Sequence, residues 1–301
     1  MNEIQRNIEE FCSFLLTEKS ASVNTVAAYR SDLGQLADFM RTRPITGGWG
    51  GLDRSTTQDF ILDLKARGYT KTSVARKIAA ARSFFAYLVA EGLVADNPTE
   101  GLVSPKVGTS LPKTASPNDI NRLLEQPTRR STPEAKRDHA MLKLLYATGM
   151  RITELVSLDM NDLKLNLGSL SVCCASGERK ERTIPVYEPT LEALTDYLKK
   201  GRPKLLKWRE EEQALFVNRR GERLTRQGFW FILKGYARSA HLSKNITPHT
   251  LRHSFAAHMI SGGMQLRNVQ EMLGHANIST TQQMYHTQVA RQTYERAHPR
   301  A

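Results

Sequence analysis

Two arginines, up to three histidines and one tyrosine stand in this chain in an order that suits chemistry on a phosphate. Ala147-Thr148-Gly149-Met150-Arg151 comes first, then His249-Thr250-Leu251-Arg252-His253, then Leu273-Gly274-His275, and finally Tyr285. No carboxylate pair and no metal-ligand spacing accompanies them. Each guanidinium can donate two parallel, charge-assisted hydrogen bonds to the non-bridging oxygens of a phosphate. A tyrosine hydroxyl beside such a cradle can attack phosphorus and hold it covalently. The chemistry implied is the cutting of a phosphodiester with the broken bond stored on the protein.

Taken singly, each residue has a plainer reading. Arg151 after a glycine turn fits a surface arginine or a helix cap. His249 follows Pro248 and fits the opening of a helix at Thr247, while His253 and His258 share that helix with Phe255 and Met259 and read as partly buried structural residues. Tyr285 alone reads as a packing aromatic. His249 and His253 have the i, i+4 spacing of two zinc ligands, but Thr250 stands where the metalloprotease pattern needs a glutamate. No metal site and no cofactor is expected.

The elements that must position these residues are mostly helical. Val26, Tyr29, Leu33, Leu36 and Met40 recur at three- and four-residue spacing, which predicts a helix over 22–40 with Ser22 or Asn24 as its cap. Val74, Ile78, Ala81, Phe85 and Leu88 predict another over 72–91, and shorter helices are expected over 56–67 and 3–17. Arg76, Lys77 and Arg82 are read as the basic side of that second helix, with Lys71 just before it, and all four as candidate contacts to a DNA groove; a solvated face is the plainer reading of such a run. Asn97-Pro98, Ser104-Pro105, Leu111-Pro112 and Ser116-Pro117 then interrupt any helix and mark a semi-extended linker.

Beyond the linker, Pro117 opens a new helix, and a helix through Asp138–Leu145 runs into the turn at Gly149 and resumes over 153–158. Runs at 169–175 and 182–186 read as a β-hairpin around Ser176-Gly177-Glu178-Arg179, and helical periodicity returns over 190–200 and 225–240. The expected fold is mainly α: a helical bundle over 1–95, a linker over 96–112, and an α-rich domain with a small antiparallel sheet over 113–301.

Charge agrees with a polyanion as partner. Among the 301 residues, Lys+Arg outnumber Asp+Glu by 43 to 30, a net charge of +13. Residues 1–112 carry 13 against 12, a net of +1, so the remainder carries 30 against 18, a net of +12. Such a surplus attracts nucleic acid. Three cysteines, Cys12 and the adjacent Cys173 and Cys174, favour a reduced, cytoplasmic setting. No apolar run is long enough to span a membrane, and the first residues lack the pattern of a signal peptide.

The ordered boxes carry a resemblance. Ala147 to Leu155, Thr247 to Ala256 and Leu273 to Thr281 resemble the tyrosine site-specific recombinases of the phage integrase family, specifically the Xer type that resolves chromosome dimers. The chain end, His298-Pro299-Arg300-Ala301, is also Xer-like, and the N-terminal bundle resembles the family's SAM-like core-binding domain. The resemblance implies that Arg151 and Arg252 grip the scissile phosphate and stabilise the pentacoordinate transition state. It implies that His249 acts as general base or hydrogen-bonding partner, that His275 adds a donor, and that Tyr285 attacks to give a 3′-phosphotyrosyl link and a free 5′-hydroxyl. Neither ATP nor a metal is needed. Double-stranded DNA is the implied partner, bound by a homo- or heterotetramer on two sites, with the tail from Gln288 to Ala301 docking on a neighbour and a DNA translocase as a candidate activator.

The chain departs from the family in two places. The family places a lysine acid in the hairpin turn, where this chain has Ser176 or Gly177; Lys180, with Arg179 as the alternative, is the expected substitute. Tyr285 lies ten residues after His275 where the family usually has nine, and Tyr294 is the remoter alternative nucleophile. The implied function is therefore site-specific recombination in chromosome-dimer resolution. A mobile-element integrase or resolvase, a non-catalytic DNA-binding relative and a metal-dependent nuclease are the alternatives.

Overall fold

The computed structural model describes residues 2–106, 114–164, 169–173, 181–209, 211–243 and 246–274. The chain divides into two compact units, Met1–Thr109 and Ser110–Ala301.

The first unit is built from α1 (Glu3–Thr17), α2 (Val23–Arg41), α3 (Arg54–Ala66) and α4 (Lys71–Ala90). Each begins on a side-chain oxygen that accepts a backbone N–H of its first turn: Asn2, Ser22, Asp53 and Thr70 in order. Ser22, rather than Asn24, caps α2. The predicted stripes are the buried ones: Val26, Leu33, Leu36 and Met40 on α2 meet Val74, Ile78, Ala81, Phe85 and Leu88 on α4 in one core with Ile8, Phe11 and Leu64. Phe11, Trp49 and Phe84 interlock edge to face, with ring centroids 4.8–5.3 Å apart.

Part of the segment expected to be linker belongs to this bundle. Leu102 is buried in its core, and the Thr57 hydroxyl donates to the Pro98 carbonyl at 2.9 Å. The prolines break the helix here, but the apolar residues between them still have core to cover.

The second unit starts with α5 (Pro117–Leu124), capped by Ser116, and α6 (Pro133–Thr148). After a short α7 (Ile152–Ser157) comes an antiparallel sheet in the order β1 (Leu163–Lys164), β2 (Ser169–Cys173), β3 (Glu181–Pro185). The hairpin matches the expectation, with Leu170 opposite Ile184; β1 adds a third strand of two residues. Helix α8 (Glu188–Asp196) widens into one π turn over Tyr197–Gly201 and continues as α9 (Arg202–Leu206). The turn carries the fully buried Tyr197, whose hydroxyl donates to the Leu215 carbonyl at 3.1 Å and whose pKa burial pushes up to about 12. Helices α10 (Arg226–Ser239), α11 (Pro248–Ser261) and α12 (Leu266–Leu273) complete the described part. The core of this unit gathers Leu144, Leu145, Leu155, Ile184, Leu194, Phe216, Phe229, Leu233 and Leu251. Among the described residues no helix is long and apolar enough to cross a membrane.

Candidate active site

The turn after α6 is where the separated boxes meet. Gly149 closes α6 in the left-handed region, at φ 59°. A side chain there would be strained and would also collide, since a Cβ would lie 2.3 Å from Phe255 Cδ1 on α11 and 2.8 Å from Leu273 Cδ2 on α12. The bare glycine lets this turn sit directly against the two later helices.

Arg252, on α11 and almost fully buried, donates through Nη1 to the Gly149 carbonyl at 2.6 Å and through Nη2 to the Leu273 carbonyl at 2.7 Å. Arg151 donates through Nη2 to the next carbonyl, that of Gly274, at 3.2 Å. Two guanidinium groups far apart in sequence therefore land on consecutive carbonyls at the end of α12. A helix C-terminus presents unpaired carbonyls and the negative end of the helix dipole, which suits two cations. Arg252 is enclosed, whereas Arg151 keeps 39% of its side chain exposed.

One buried carboxylate organises the approach. Glu154 accepts four donors on two oxygens. Oε1 takes Arg151 Nη1 and Arg182 Nη1, each at 3.0 Å. Oε2 takes the Arg151 backbone N–H at 2.7 Å and Arg182 Nη2 at 2.8 Å. Burial pushes the carboxyl pKa up, but the Arg182 hydrogen bonds, the Arg151 N–H and the two positive charges outweigh it and hold Glu154 below the ordinary glutamate range. Arg182, on β3, also donates through Nε to the Met272 carbonyl at 2.9 Å. Neither Glu154 nor Arg182 is assigned a role by the sequence reading. The available signal is the Arg-x-x-Glu spacing at a helix start, where the glutamate reaches back to the first N–H as in a capping box.

His249 is exposed in the first turn of α11, which opens on Thr247 as cap and Pro248 in the first helical position. Its ring stacks on that of His253, with centroids 6.3 Å apart and planes 28° apart. Burial, then the neighbouring His249 and Arg252, lowers the His253 pKa. His258 is half-buried and shares a 2.8 Å hydrogen bond with the Tyr146 hydroxyl. Lys180, His275 and Tyr285 lie outside the described residues, as do Ser176, Gly177, Arg179 and Tyr294. Among the described residues, no group of three or more His, Cys, Asp or Glu is placed to hold a metal.

The basic residues of α4 separate into different environments. Lys71 is exposed. Arg76 is partly exposed and ion-paired with Asp32, and Arg82 is exposed with its guanidinium on the Leu102 carbonyl. Lys77 requires a correction: its side chain is 1% exposed, and Nζ donates to Asp32 Oδ1 at 2.7 Å and to Gln35 Oε1 at 2.9 Å. It lies three residues after Val74 and four before Ala81, inside the apolar stripe, so it faces α2 and not a groove. A further surface went unread in the sequence. On α10, Trp230 and Phe231 are exposed edge to face at 5.2 Å, with the Lys234 ammonium 5.5 Å from the Trp230 ring centroid.

The described residues form two mainly helical units, the second of which brings Arg151 and Arg252 together at the end of α12. The chain is similar to the XerH site-specific recombinase crystallised on a palindromic difH substrate, with a TM-score of 0.77 at 20% identity over 99% of this chain and 85% of that one. It is also similar to the XerA recombinase, with a TM-score of 0.54 at 25% identity over 99% and 100%. In sequence, the phage integrase family pattern matches residues 113–291, and the phage integrase N-terminal SAM-like domain matches residues 8–92. The chain is 47% identical to tyrosine recombinase XerC of Herpetosiphon aurantiacus over 93% of this chain and 90% of that one. It is 43% identical to tyrosine recombinase XerD of Listeria innocua over 100% of both. The chain belongs to the phage integrase family, among its Xer-type tyrosine recombinases, and is an enzyme of site-specific recombination.

Proposed function

We propose that the chain cuts and rejoins double-stranded DNA at a short palindromic site to resolve chromosome dimers, through a 3′-phosphotyrosine on Tyr285. The observation that carries this reading is the meeting of the Arg151 and Arg252 guanidiniums on the consecutive carbonyls of Leu273 and Gly274. In the reaction, Tyr285 Oη forms a bond to phosphorus as the bond from phosphorus to O5′ breaks. His249 takes the phenol proton, and Lys180 gives a proton to O5′. Arg151, Arg252 and His275 donate to the equatorial oxygens, where negative charge builds. The phosphotyrosyl bond keeps the energy of the phosphodiester, so attack by a new 5′-hydroxyl reverses the steps on a different strand.

The first unit would supply a DNA-clamp surface through Lys71, Arg76 and Arg82, and the second would add the basic, aromatic outer side of α10. The working form would be a tetramer on two DNA sites, in the cytoplasm, with residues 288–301 docking on a neighbour and a DNA translocase as activator. Similarity to structures of XerH bound to its DNA supports the duplex as substrate.

A nicked suicide substrate in EDTA tests the reading. The unaltered chain should trap a covalent DNA adduct, and Tyr285→Phe should lose it while still shifting the DNA on a gel. An adduct retained by Tyr285→Phe moves the nucleophile to another residue. DNA binding without any adduct from the unaltered chain makes the protein a non-catalytic relative.

A further inference from the structure

We propose that Arg182 is a positioning residue for the leaving-group side of the reaction, tying the root of the β2–β3 hairpin to the phosphate cradle. The proposal rests on the reading above, in which the hairpin supplies the acid. Arg182 forks onto both oxygens of Glu154 at 3.0 and 2.8 Å, and its Nε reaches the Met272 carbonyl at 2.9 Å. Only 12% of its side chain is exposed, and these bonds tie it to Glu154 and to the end of α12. The end of α12 is shaped around it: Gly274 has φ 62°, and a Cβ there would stand 2.9 Å from Arg182 Nη1.

Both of its anchors belong to the cradle. Glu154 also holds Arg151, and the α12 end also holds Arg252. The third connection is covalent. Arg182 is the second residue of β3, paired with Val172 on β2, and Lys180 precedes it by two residues. Two residues of chain span at most about 7 Å, so this tie fixes the start of β3, which Lys180 immediately precedes in sequence. Without Arg182, Glu154 still accepts the Arg151 N–H and Nη1. The cradle therefore keeps its own support, while the hairpin loses its link to it.

The step at stake is proton delivery. As the bond from Tyr285 Oη to phosphorus forms and the bond from phosphorus to O5′ breaks, the proton on Lys180 ends on O5′. A substrate carrying sulfur at the 5′-bridging position bypasses this step, because a thiolate leaves without a proton.

Single-turnover cleavage by the full chain, on an ordinary and on a 5′-phosphorothiolate suicide substrate, makes the test. With Arg182→Ala, cleavage of the ordinary substrate should fall about 100-fold or more, the usual contribution of a general acid, with DNA affinity unchanged. On the phosphorothiolate the deficit should shrink to about tenfold or less. Equal slowing on both substrates, or none on the ordinary one, overturns the proposal. If Arg182→Ala does not fold, Arg182→Lys keeps the charge, loses the fork and is read the same way. Lys180→Ala in parallel reports on the acid: rescue of Arg182→Ala without rescue of Lys180→Ala still supports the tie and assigns the proton to another hairpin group. Absence of an adduct from the unaltered chain on either substrate would instead sink the functional reading.

Discussion

Among the described residues, each unit holds a buried carboxylate that meets two cations, Asp32 in the first and Glu154 in the second, and the two clusters do different work. In the first unit, Asp32 on α2 takes Lys77 and Arg76, neighbours on α4, and Gln35 and Tyr69 enclose the Lys77 ammonium. That cluster staples one helix to another. In the second unit, Glu154 takes Arg151, three residues before it, and Arg182, twenty-eight after it. Both guanidiniums then continue to carbonyls at the end of α12. The difference teaches that burial of a charge does not by itself mark a site. What marks one is where the cation's remaining donors lead, and whether its head stays open, as that of Arg151 does and that of Lys77 does not.

The largest effects should come from removing the two carboxylates. Each removal leaves a buried cation unpaired, which costs about 3–5 kcal/mol of stability. Glu154→Ala and Asp32→Ala should therefore show comparable shifts in urea unfolding midpoint. They should separate in single-turnover cleavage normalised to the folded fraction. Glu154→Ala should lose about 100-fold or more, the scale of a misplaced catalytic group, whereas Asp32→Ala should cleave as the unaltered chain does. A catalytic defect in folded Asp32→Ala would erase the distinction between staple and site.

That distinction was only partly visible in the sequence. Helices were legible where apolar residues repeat and a capping oxygen precedes them, as at Ser22, Ser116 and Thr247. Arg151 and Arg252 were legible as a pair because phosphate chemistry needs two forks. The inward turn of Lys77 was present in its spacing from Val74 and Ala81, but a lysine counted among basic neighbours reads as surface until its partner is known. Asp32 sits forty-five residues away on another helix, and only packing reveals that the two meet. Strand β1 offered two residues, too few for any alternation to show. The Glu154 hub was hidden for the same reason as Asp32: Arg182 and the α12 carbonyls join it through the fold, not through local pattern.

A smaller effect sharpens the contrast between Lys71 and Lys77. Each lysine on a phosphate contributes about 0.9 to the slope of log affinity against log salt on B-DNA. Lys71→Ala, at an exposed position, should lower the slope by about one. For Lys77, single removal would leave the buried Asp32 with Arg76 but without its buried partner, so the pair is replaced together as Asp32→Leu with Lys77→Met. Exchanging a buried ion pair for apolar side chains of similar volume is often neutral or stabilising. The double variant should keep both its fold and its salt slope. A slope lowered in the double variant would return Lys77 to the DNA surface.

The smallest effect concerns acid, and it follows from the sign of one shift. Glu154 is held below its ordinary value of 4.5 in the folded protein, because its arginine partners outweigh burial. The unfolded chain therefore binds its proton at higher pH than the folded chain does. Stability from this group is complete above the ordinary value and is lost as pH falls through the depressed one. Glu154→Gln removes the titration and with it that share of the acid limb. Urea unfolding measured from about pH 3 to pH 6 should show the variant less stable at the upper end and flatter below. Two parallel curves would mean that Glu154 titrates alike in both states. Its four donors would then hold it in place without favouring its charge, and the hub would act through geometry alone.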